Sequence, residues 1–412
     1  MNKKRLIIIG GGAAGFFCAI NAAQFNPALE VIVIEKTNKL LSKVRISGGG
    51  RCNVTHHCFS IADMIKKYPR GNQFLKKAFH HFFTTDTIAW FEKRGVALKA
   101  EADGRMFPAS NTSETIIQCL MHEVNKHGIQ ILLNRDVQQI NKIDNSFLIT
   151  IKDSHTIQAD AVCVACGGFA KALQFNWLTQ MGHTIEAPVP SLFTFNMPGN
   201  AITQLMGITV EQAQVKIIGT NLQQQGPLLI THWGMSGPAI LKLSAWGARL
   251  LAEKNWQFSI AINWLPMYNE LTLKTQLQQV RFEQAAQKIW NKNPFGIPTR
   301  LWQYLLQQSD INDSIRWADL PAKAQNKLIK NICSQPFDVK GKTTFKEEFV
   351  TAGGIDLQEV DYNTMQSKLI PNIYFAGEVL NIDGVTGGFN FQSAWTTGYL
   401  AAKAIATNLV VE

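Results

Sequence analysis

Residues 5–35 read RLIIIGGGAAGFFCAINAAQFNPALEVIVIE, and this stretch restricts the possible folds more than any other in the chain. Leu6 to Ile9 form the continuous apolar run of a strand buried on both faces, and Ala14 to Phe25 has the alanine-rich composition of a helix. Between them lies Gly10-x-Gly12-x-x-Gly15. Gly10 permits a tight strand-to-helix turn, Gly12 lets backbone approach a pyrophosphate, and Gly15 lets the helix pack closely on the strand. A diphosphate would there meet free N–H groups at the positive end of a helix. A second apolar strand, Val31 to Ile34, ends in Glu35. A carboxylate at that point accepts hydrogen bonds from a ribose 2′-OH and repels a 2′-phosphate, so the expected ligand is FAD or NAD rather than NADP. The opening MNKKR and the apolar run after it resemble a secretory leader. Three consecutive glycines in the apolar core and a downstream strand ending in an acid argue against cleavage.

The 412 residues, 46% apolar and 17% charged, suit a globular chain of two to three domains. No run approaches the roughly 18 apolar residues of a membrane span. The net charge of +10 is scattered along the chain, as on a solvated basic surface. Seven irregularly spaced cysteines fit a reducing cytoplasm better than a disulfide framework, so the expected location is cytoplasmic. Cys163-x-x-Cys166 falls at the end of a strand-like run, where residues three apart face opposite ways, which argues against a redox dithiol. His56, His57 and Cys58 lack metal-ligand spacing, and no metal site is expected.

Beyond Glu35, Ser47-Gly48-Gly49-Gly50-Arg51-Cys52-Asn53 forms a loop able to lie against a flat or anionic ligand, with Arg51 and Asn53 as donors. The pattern predicts a helix over Phe74 to Arg94, a hairpin over Val96 to Ala109 and a helix over Ser113 to Lys126. Strands are expected at 129–133, 137–143, 146–151 and 161–165, the last closing on Gly167 and Gly168, a second place for backbone to approach a nucleotide. Residues 188–265 carry five prolines among short strand-like runs, and His232 lies in Thr231-His232-Trp233-Gly234-Met235-Ser236-Gly237-Pro238, with Ser236 expected to cap the helix Ala239 to Ala252. Residues 270–333 look helical. The α/β character then returns with Ile373 to Ala376, Gly377-Glu378 and a glycine-rich run before the helix Ser393 to Ala406.

Taken together, GGGAAG with Glu35, SGGGRCN, THWGMSGPAIL, TAGG and FAGEVLNIDGVTGGFNFQSAW resemble the bacterial flavoproteins that include aminoacetone oxidase and a flavoprotein tied to bile-acid dehydroxylation, commonly labelled NAD(P)/FAD-dependent oxidoreductases. The resemblance runs over nearly the whole chain. It implies an α/β fold: a discontinuous Rossmann-like, glutathione-reductase-like FAD-binding domain formed by 1–189 and 336–412, with an inserted β-rich substrate domain (190–268) and an inserted helical domain (269–335).

The resemblance also implies cofactor roles. Gly10, Gly12, Ala13, Ala14 and Gly15 would hold the pyrophosphate, Glu35 and Lys36 the adenosine ribose, and Val137 would lie near the adenine. Arg51, Cys52 and Asn53 would sit beside the flavin, with Gly167 as a further backbone approach. Gly377-Glu378 matches the position of a carboxylate bonding the ribityl chain, and Gly388, Phe389, Asn390 and Phe391 would bring a helix N-terminus to the pyrimidine end of the isoalloxazine. Two positions depart from the family pattern: Asn381 stands where many members have Asp, and Phe389 where Tyr is common.

The expected function is an FAD-dependent oxidoreductase that moves hydride between flavin N5 and a small organic substrate, with NAD(P)H as a transient co-substrate, or dioxygen, completing the cycle. His232 is the candidate acid or base, since an unperturbed imidazole titrates near neutrality. The expected partner is a small molecule rather than a membrane or a nucleic acid. An FAD-dependent RNA-modifying enzyme is the alternative from another class, and it should show a basic, aromatic-bearing stripe. Lys274, Arg281, Lys288 and Lys292 are candidates for such a stripe, diluted by Glu283 and many glutamines. A non-catalytic flavin sensor is the third reading.

Overall fold

Leu6, Ile7 and Ile8 are wholly buried because their strand is the middle one of a five-stranded parallel sheet. The computed structural model describes residues 3–152, 155–343 and 350–409. The sheet comprises β1 (Arg5–Ile9), β2 (Glu30–Ile34), β3 (Gln130–Leu132), β4 (Ala161–Val164) and β5 (Ile373–Phe375), in the order β5-β4-β1-β2-β3. Ile8 pairs with Val33 on one side and Cys163 on the other. Helix α1 (Ala13–Phe25) connects β1 to β2, α2 (Ser42–Gly50) follows β2, and α3 (Ser113–Lys126) precedes β3. The last helix, α4 (Phe389–Asn408), packs along α1 so closely that a Cβ on Gly398 would lie 2.8 Å from the carbonyl oxygen of Ala14.

Several expected elements take a different form. The helix expected over Phe74 to Arg94 is two helices, Asn72–Ala78 and Thr84–Glu92. Phe83 is extended between them, and the Asp86 carboxylate accepts its N–H and restarts the helix. The cap expected at Ser236 falls on Gly237, whose φ of +95° favours glycine, while Ser236 ends a short strand. The final helix begins at Phe389, four residues before the expected Ser393. A strand absent from the sequence reading, Thr156–Ala159, completes an antiparallel meander with Val137–Ile143 and Ser146–Ile151.

The chain forms two compact units, Met1–Ser191 with Lys346–Glu412, and Leu192–Phe345. Within the second unit a seven-stranded sheet and the helices Glu270–Glu283, Thr299–Gln307 and Ala322–Cys333 share one core, in which Val215, Ile260 and Phe337 join Leu277, Trp302 and Leu328. The segments 190–268 and 269–335, read from sequence as separate domains, therefore share a single apolar interior, because each helix buries its apolar stripe in that core. Gln335–Lys340 pairs antiparallel with Gln257–Asn263, so the return to the dinucleotide fold comes after this strand and not at 336. No helix among the described residues is long and apolar enough to cross a membrane.

The first unit is stapled by a buried polar trio. Ser367 Oγ accepts the N–H groups of Leu369 and Ile370, so its proton faces His183 Nε2 at 3.2 Å, while His183 Nδ1 donates to Glu359 at 3.0 Å. The hydroxyl–imidazole–carboxylate order matches that of a hydrolase, but Ser367 is buried and its oxygen is held by two amides, which leaves a structural tie. Burial favours the neutral imidazole and lowers the His183 pKa, against the opposing pull of Glu359. On acidification the unfolded chain takes up this proton first, near pH 6.5, so the contribution is complete above that pH and is lost as pH falls toward the lowered folded value. Denaturant midpoints measured from pH 7 to 5.5 should fall, by no more than about 1.4 kcal/mol per pH unit for this one proton, and His183→Gln should flatten the slope.

Candidate functional site

The first cluster forms where β1 turns into α1. Gly10 has φ +119°, and a Cβ there would lie 2.3 Å from the carbonyl oxygen of Ala165. A Cβ on Gly15 would lie 2.0 Å from the Gly10 carbonyl oxygen, so strand and helix meet at backbone contact. Gly12 differs: nothing lies within 4 Å of a Cβ placed on it, and its φ is −94°. It starts α1 with no side-chain cap and no acid in the first turn, so the space at Gly12 is open toward a positive helix end, beside the half-buried Ala13 and the buried Ala14. Glu35 is held beside this turn by the N–H of Gly11 at 2.9 Å and by Thr37 through its N–H and hydroxyl. A cavity of about 320 Å³ is lined by Gly10, Glu35, Lys36, Val137, Phe169 and Trp177 among others. Of the nucleotide residues expected from sequence, Gly10, Glu35, Lys36 and Val137 share this hollow, while Gly12, Ala13, Ala14 and Gly15 are not among its lining residues; its size is that of a small-ligand pocket. The Cys163 thiol faces away from it, toward Cys18 on α1, whereas Cys166 lines the cavity, so the two thiols do not pair.

The second cluster forms at the start of α4. α2 is kinked, with Ser47 extended and Gly48 and Gly49 left-handed, and this brings Arg51, Cys52 and Asn53 back over the hairpin Leu98–Ala100 and Arg105–Pro108. Arg51 lies 3.9 Å over the Phe107 ring and pairs with Glu101 at 2.5 Å. Cys52 is fully buried, and burial pushes its thiol up to about 12, so it is no nucleophile at neutral pH. The Asn53 amide, oriented to satisfy its neighbours, accepts the Gly388 N–H at 2.9 Å and donates to the carbonyls of Thr55 and Met106. His56 Nδ1 lies 3.0 Å from the Gly387 carbonyl oxygen, and its ring stacks on Phe389. Asn390 spends both amide atoms on Gly384, at 2.8 and 2.9 Å, and Phe391 stacks on Trp395. These contacts fix the turn at Gly387 and Gly388, from which α4 opens with no side-chain cap and no acid in its first turn.

The remaining expected residues lie around these clusters. The Gly377 N–H donates to Thr397 Oγ1, Glu378 accepts the Thr351 N–H at 2.8 Å and pairs with Lys43 at 2.5 Å, and a Cβ on Gly167 would meet nothing within 4 Å. His232 belongs to the second unit, exposed at the two-residue tip joining Gln223–Thr231 to Gly234–Ser236, edge-on to Trp233.

Sequence reasoning missed the buried ion pair beneath the α4 turn. Asp383 is completely buried, bonded by Arg70 through two nitrogens and by the Ser191 hydroxyl. Burial raises its carboxyl pKa, and Arg70 and Ser191 oppose that shift. The partners are 313 and 192 residues apart in sequence, so no local pattern could join them.

The family model for the HI0933-like protein Rossmann domain matches residues 4–404. The chain belongs to this family. It is 29% identical to a ribosomal RNA dihydrouridine synthase of Haemophilus influenzae, over 97% of this chain and 98% of that one. It is 26% identical to a 3-dehydro-bile acid delta(4,6)-reductase of Clostridium scindens, over 98% and 99%. Among solved structures, an open flavocytochrome c3 fumarate reductase aligns with a TM-score of 0.52 at 14% identity, covering 99% of this chain and 79% of that one. A 3-ketosteroid-delta4-(5alpha)-dehydrogenase from Rhodococcus jostii RHA1 also gives 0.52, at 12% identity, covering 98% of both chains. The fold is accordingly a Rossmann-type FAD-binding one, and the family is one of flavoprotein oxidoreductases, as the motif resemblance implied.

Substitution separates the fold from the ligand cradle. Gly10→Ala should destabilise the protein by about 2–5 kcal/mol in denaturant melts, because its Cβ meets backbone at positive φ. Gly12→Ala should leave the apoprotein's melt unchanged while FAD affinity, read by flavin fluorescence, falls at least about tenfold. Asp383→Ala should cost about 3–5 kcal/mol in the same melts, because it leaves the Arg70 guanidinium without its buried partner.

Proposed function

We propose that the protein is an FAD-dependent reductase of carbon–carbon double bonds conjugated to a carbonyl. The observation that carries the reading is the pair of uncapped helix N-termini in one unit, α1 at Gly12 and α4 at Gly388, each opening from a glycine turn without a competing acid. The first fits a pyrophosphate, with Glu35, Lys36 and Val137 toward the adenosine. The second fits the pyrimidine edge of a flavin, where its N–H groups stabilise the negative charge that reduction brings. FAD, when bound, supplies hydride transfer from N5.

The named reactions of two full-length relatives support the substrate class. Dihydrouridine is uridine with two hydrogens added across C5–C6, a bond conjugated to the C4 carbonyl, and a delta(4,6)-reductase acts on ring double bonds of a 3-dehydro, hence 3-oxo, steroid. Conjugation to a carbonyl polarises such a bond, so the proposed reduction adds a hydride to its carbon remote from the carbonyl and a proton to its other carbon. NAD(P)H is the proposed source of the hydride, and His232 the proposed proton donor.

A second reading specifies the substrate as a uracil base in RNA. It is favoured by the charge of +10 and by the name of the Haemophilus influenzae relative, a ribosomal RNA dihydrouridine synthase.

The test is anaerobic. FAD-loaded protein should bleach on adding NADPH or NADH, and should recolour on adding either an unsaturated 3-oxosteroid or unmodified ribosomal RNA, with dihydrouridine read by mass spectrometry in the second case. Bleaching by neither nucleotide would sink the proposed hydride source. Recolouring by neither substrate would sink the proposed bond class. His232→Ala should lower the recolouring rate by about 10²–10⁴-fold while bleaching stays at the wild-type rate.

A further inference from the structure

Between His56 and His81 the chain carries Lys66, Lys67, Arg70, Lys76 and Lys77 against a single acid, Asp63. Asp63 pairs with Lys66, and Arg70 with the buried Asp383. Lys67, Lys76 and Lys77 are exposed and have no ion-pair partner among the described residues, although Lys77 rests 4.4 Å over the Tyr362 ring. His80 and His81 follow, also exposed, with His81 Nε2 bonded to Asn363. At the head of the segment Phe59 is 51% exposed, and the exposed His57 ring stands edge-on to it at 4.6 Å.

This basic strap is fastened to the turn from which α4 opens. The Val385 N–H donates to the Lys67 carbonyl at 2.9 Å, the Tyr68 hydroxyl donates to the Phe389 carbonyl at 2.7 Å, and Arg70 and Asp383 form an antiparallel bridge as well as an ion pair. A Cβ on Gly71 would lie 2.5 Å from Ile382. Residues 67–71 therefore run against 382–389, so Lys67 lies beside the turn proposed for the pyrimidine edge of the flavin, and Lys76 and Lys77 follow it along the strap. Exposed cations spaced along a strap, headed by an exposed aromatic pair, combine the two elements that single-stranded nucleic acid requires: charges for phosphates and ring faces for bases.

We infer that the Cys58–His81 strap is the surface that holds RNA beside the reaction turn, with Lys66, Lys67, Lys76 and Lys77 on phosphates and Phe59 with His57 on a base. The inference rests on the uracil reading of the substrate. It places the stripe on the first unit rather than on the helical lysines of the second, Lys274, Lys288 and Lys292.

The test measures binding of a fluorescein-labelled oligouridylate by anisotropy across a salt series, with FAD-loaded protein. Wild type should bind with a steep salt dependence. Combining Lys67→Gln, Lys76→Gln and Lys77→Gln should weaken binding at least about tenfold and reduce the slope of log K against log salt by about 2, given about 0.7 per phosphate contact on a single strand. Combining Lys274→Gln, Lys288→Gln and Lys292→Gln removes the same charge elsewhere and should change affinity less than about threefold. Phe59→Ala should weaken binding about tenfold with the slope unchanged, since it removes stacking and no charge. Flavin absorbance and bleaching by reductant should match wild type in every variant, which shows that each is folded.

Wild-type affinity in the strap variant, equal loss in the control, or a wild-type protein that ignores the oligouridylate in favour of anionic phosphatidylglycerol vesicles would overturn the inference. If the strap binds RNA as described but no dihydrouridine forms and only the oxosteroid recolours the flavin, the uracil reading falls while the RNA-binding surface stands.

Discussion

The backbone contact between α1 and α4 is the constraint on which the first unit depends. Gly398 has no side chain, so α4 lies against the Ala14 carbonyl, and Gly377, whose Cβ would meet Ala14 at 2.8 Å, brings the end of β5 to the same place. A larger residue at either position would push the last helix off the first. Because α4 is held there along its length, its first turn emerges at a fixed place, and the contacts of Asn53, His56 and Asn390 then define the loop in front of it. Close helix packing thus sets the position of the electrostatics.

How far the sequence discloses this depends on the range of the interaction. β1, the turn, α1 and β2 are written in about thirty consecutive residues, and the span of α3 was legible to the residue, while the structure selects Thr112 from the capping residues Ser110, Asn111 and Thr112 ahead of it. The break at Phe79–Phe83 was hidden because aromatic residues continue the apolar pattern through it, while Asp86, whose carboxylate caps the start of the second helix, looks like an ordinary helical acid. The shared core of the second unit was hidden for another reason. Apolar stripes such as Leu273, Leu277 and Val280 announce that a face is buried but not what covers it.

The candidate site divides in the same way. Glycine spacing and Glu35 disclose the turn proposed for the nucleotide because the chemistry of a diphosphate dictates local geometry. Asn53 and Asn390 were marked by their motifs, yet the structure commits their amides to holding backbone, so a motif residue can serve a ligand through the loop it shapes. The Arg70–Asp383–Ser191 network left no trace in sequence, since each member alone resembles a surface polar residue. Only the fold removes Asp383 from water and makes its partners obligatory.

The discontinuity of the first unit also governs how the protein is made. β1 neighbours β4, β4 neighbours β5, and α4 closes over α1, so β1 and α1 wait for elements made much later in the chain before their sheet and helix pair are complete. Contacts of such long sequence separation delay folding through the cost of closing the intervening loop. The nearly independent core of Leu192–Phe345 is finished first in synthesis and shortens that loop by folding within it. The packing around β1 and α1 therefore waits until α4 has been made, and a chain released before α4 carries a complete GxGxxG motif without the helix that packs against it.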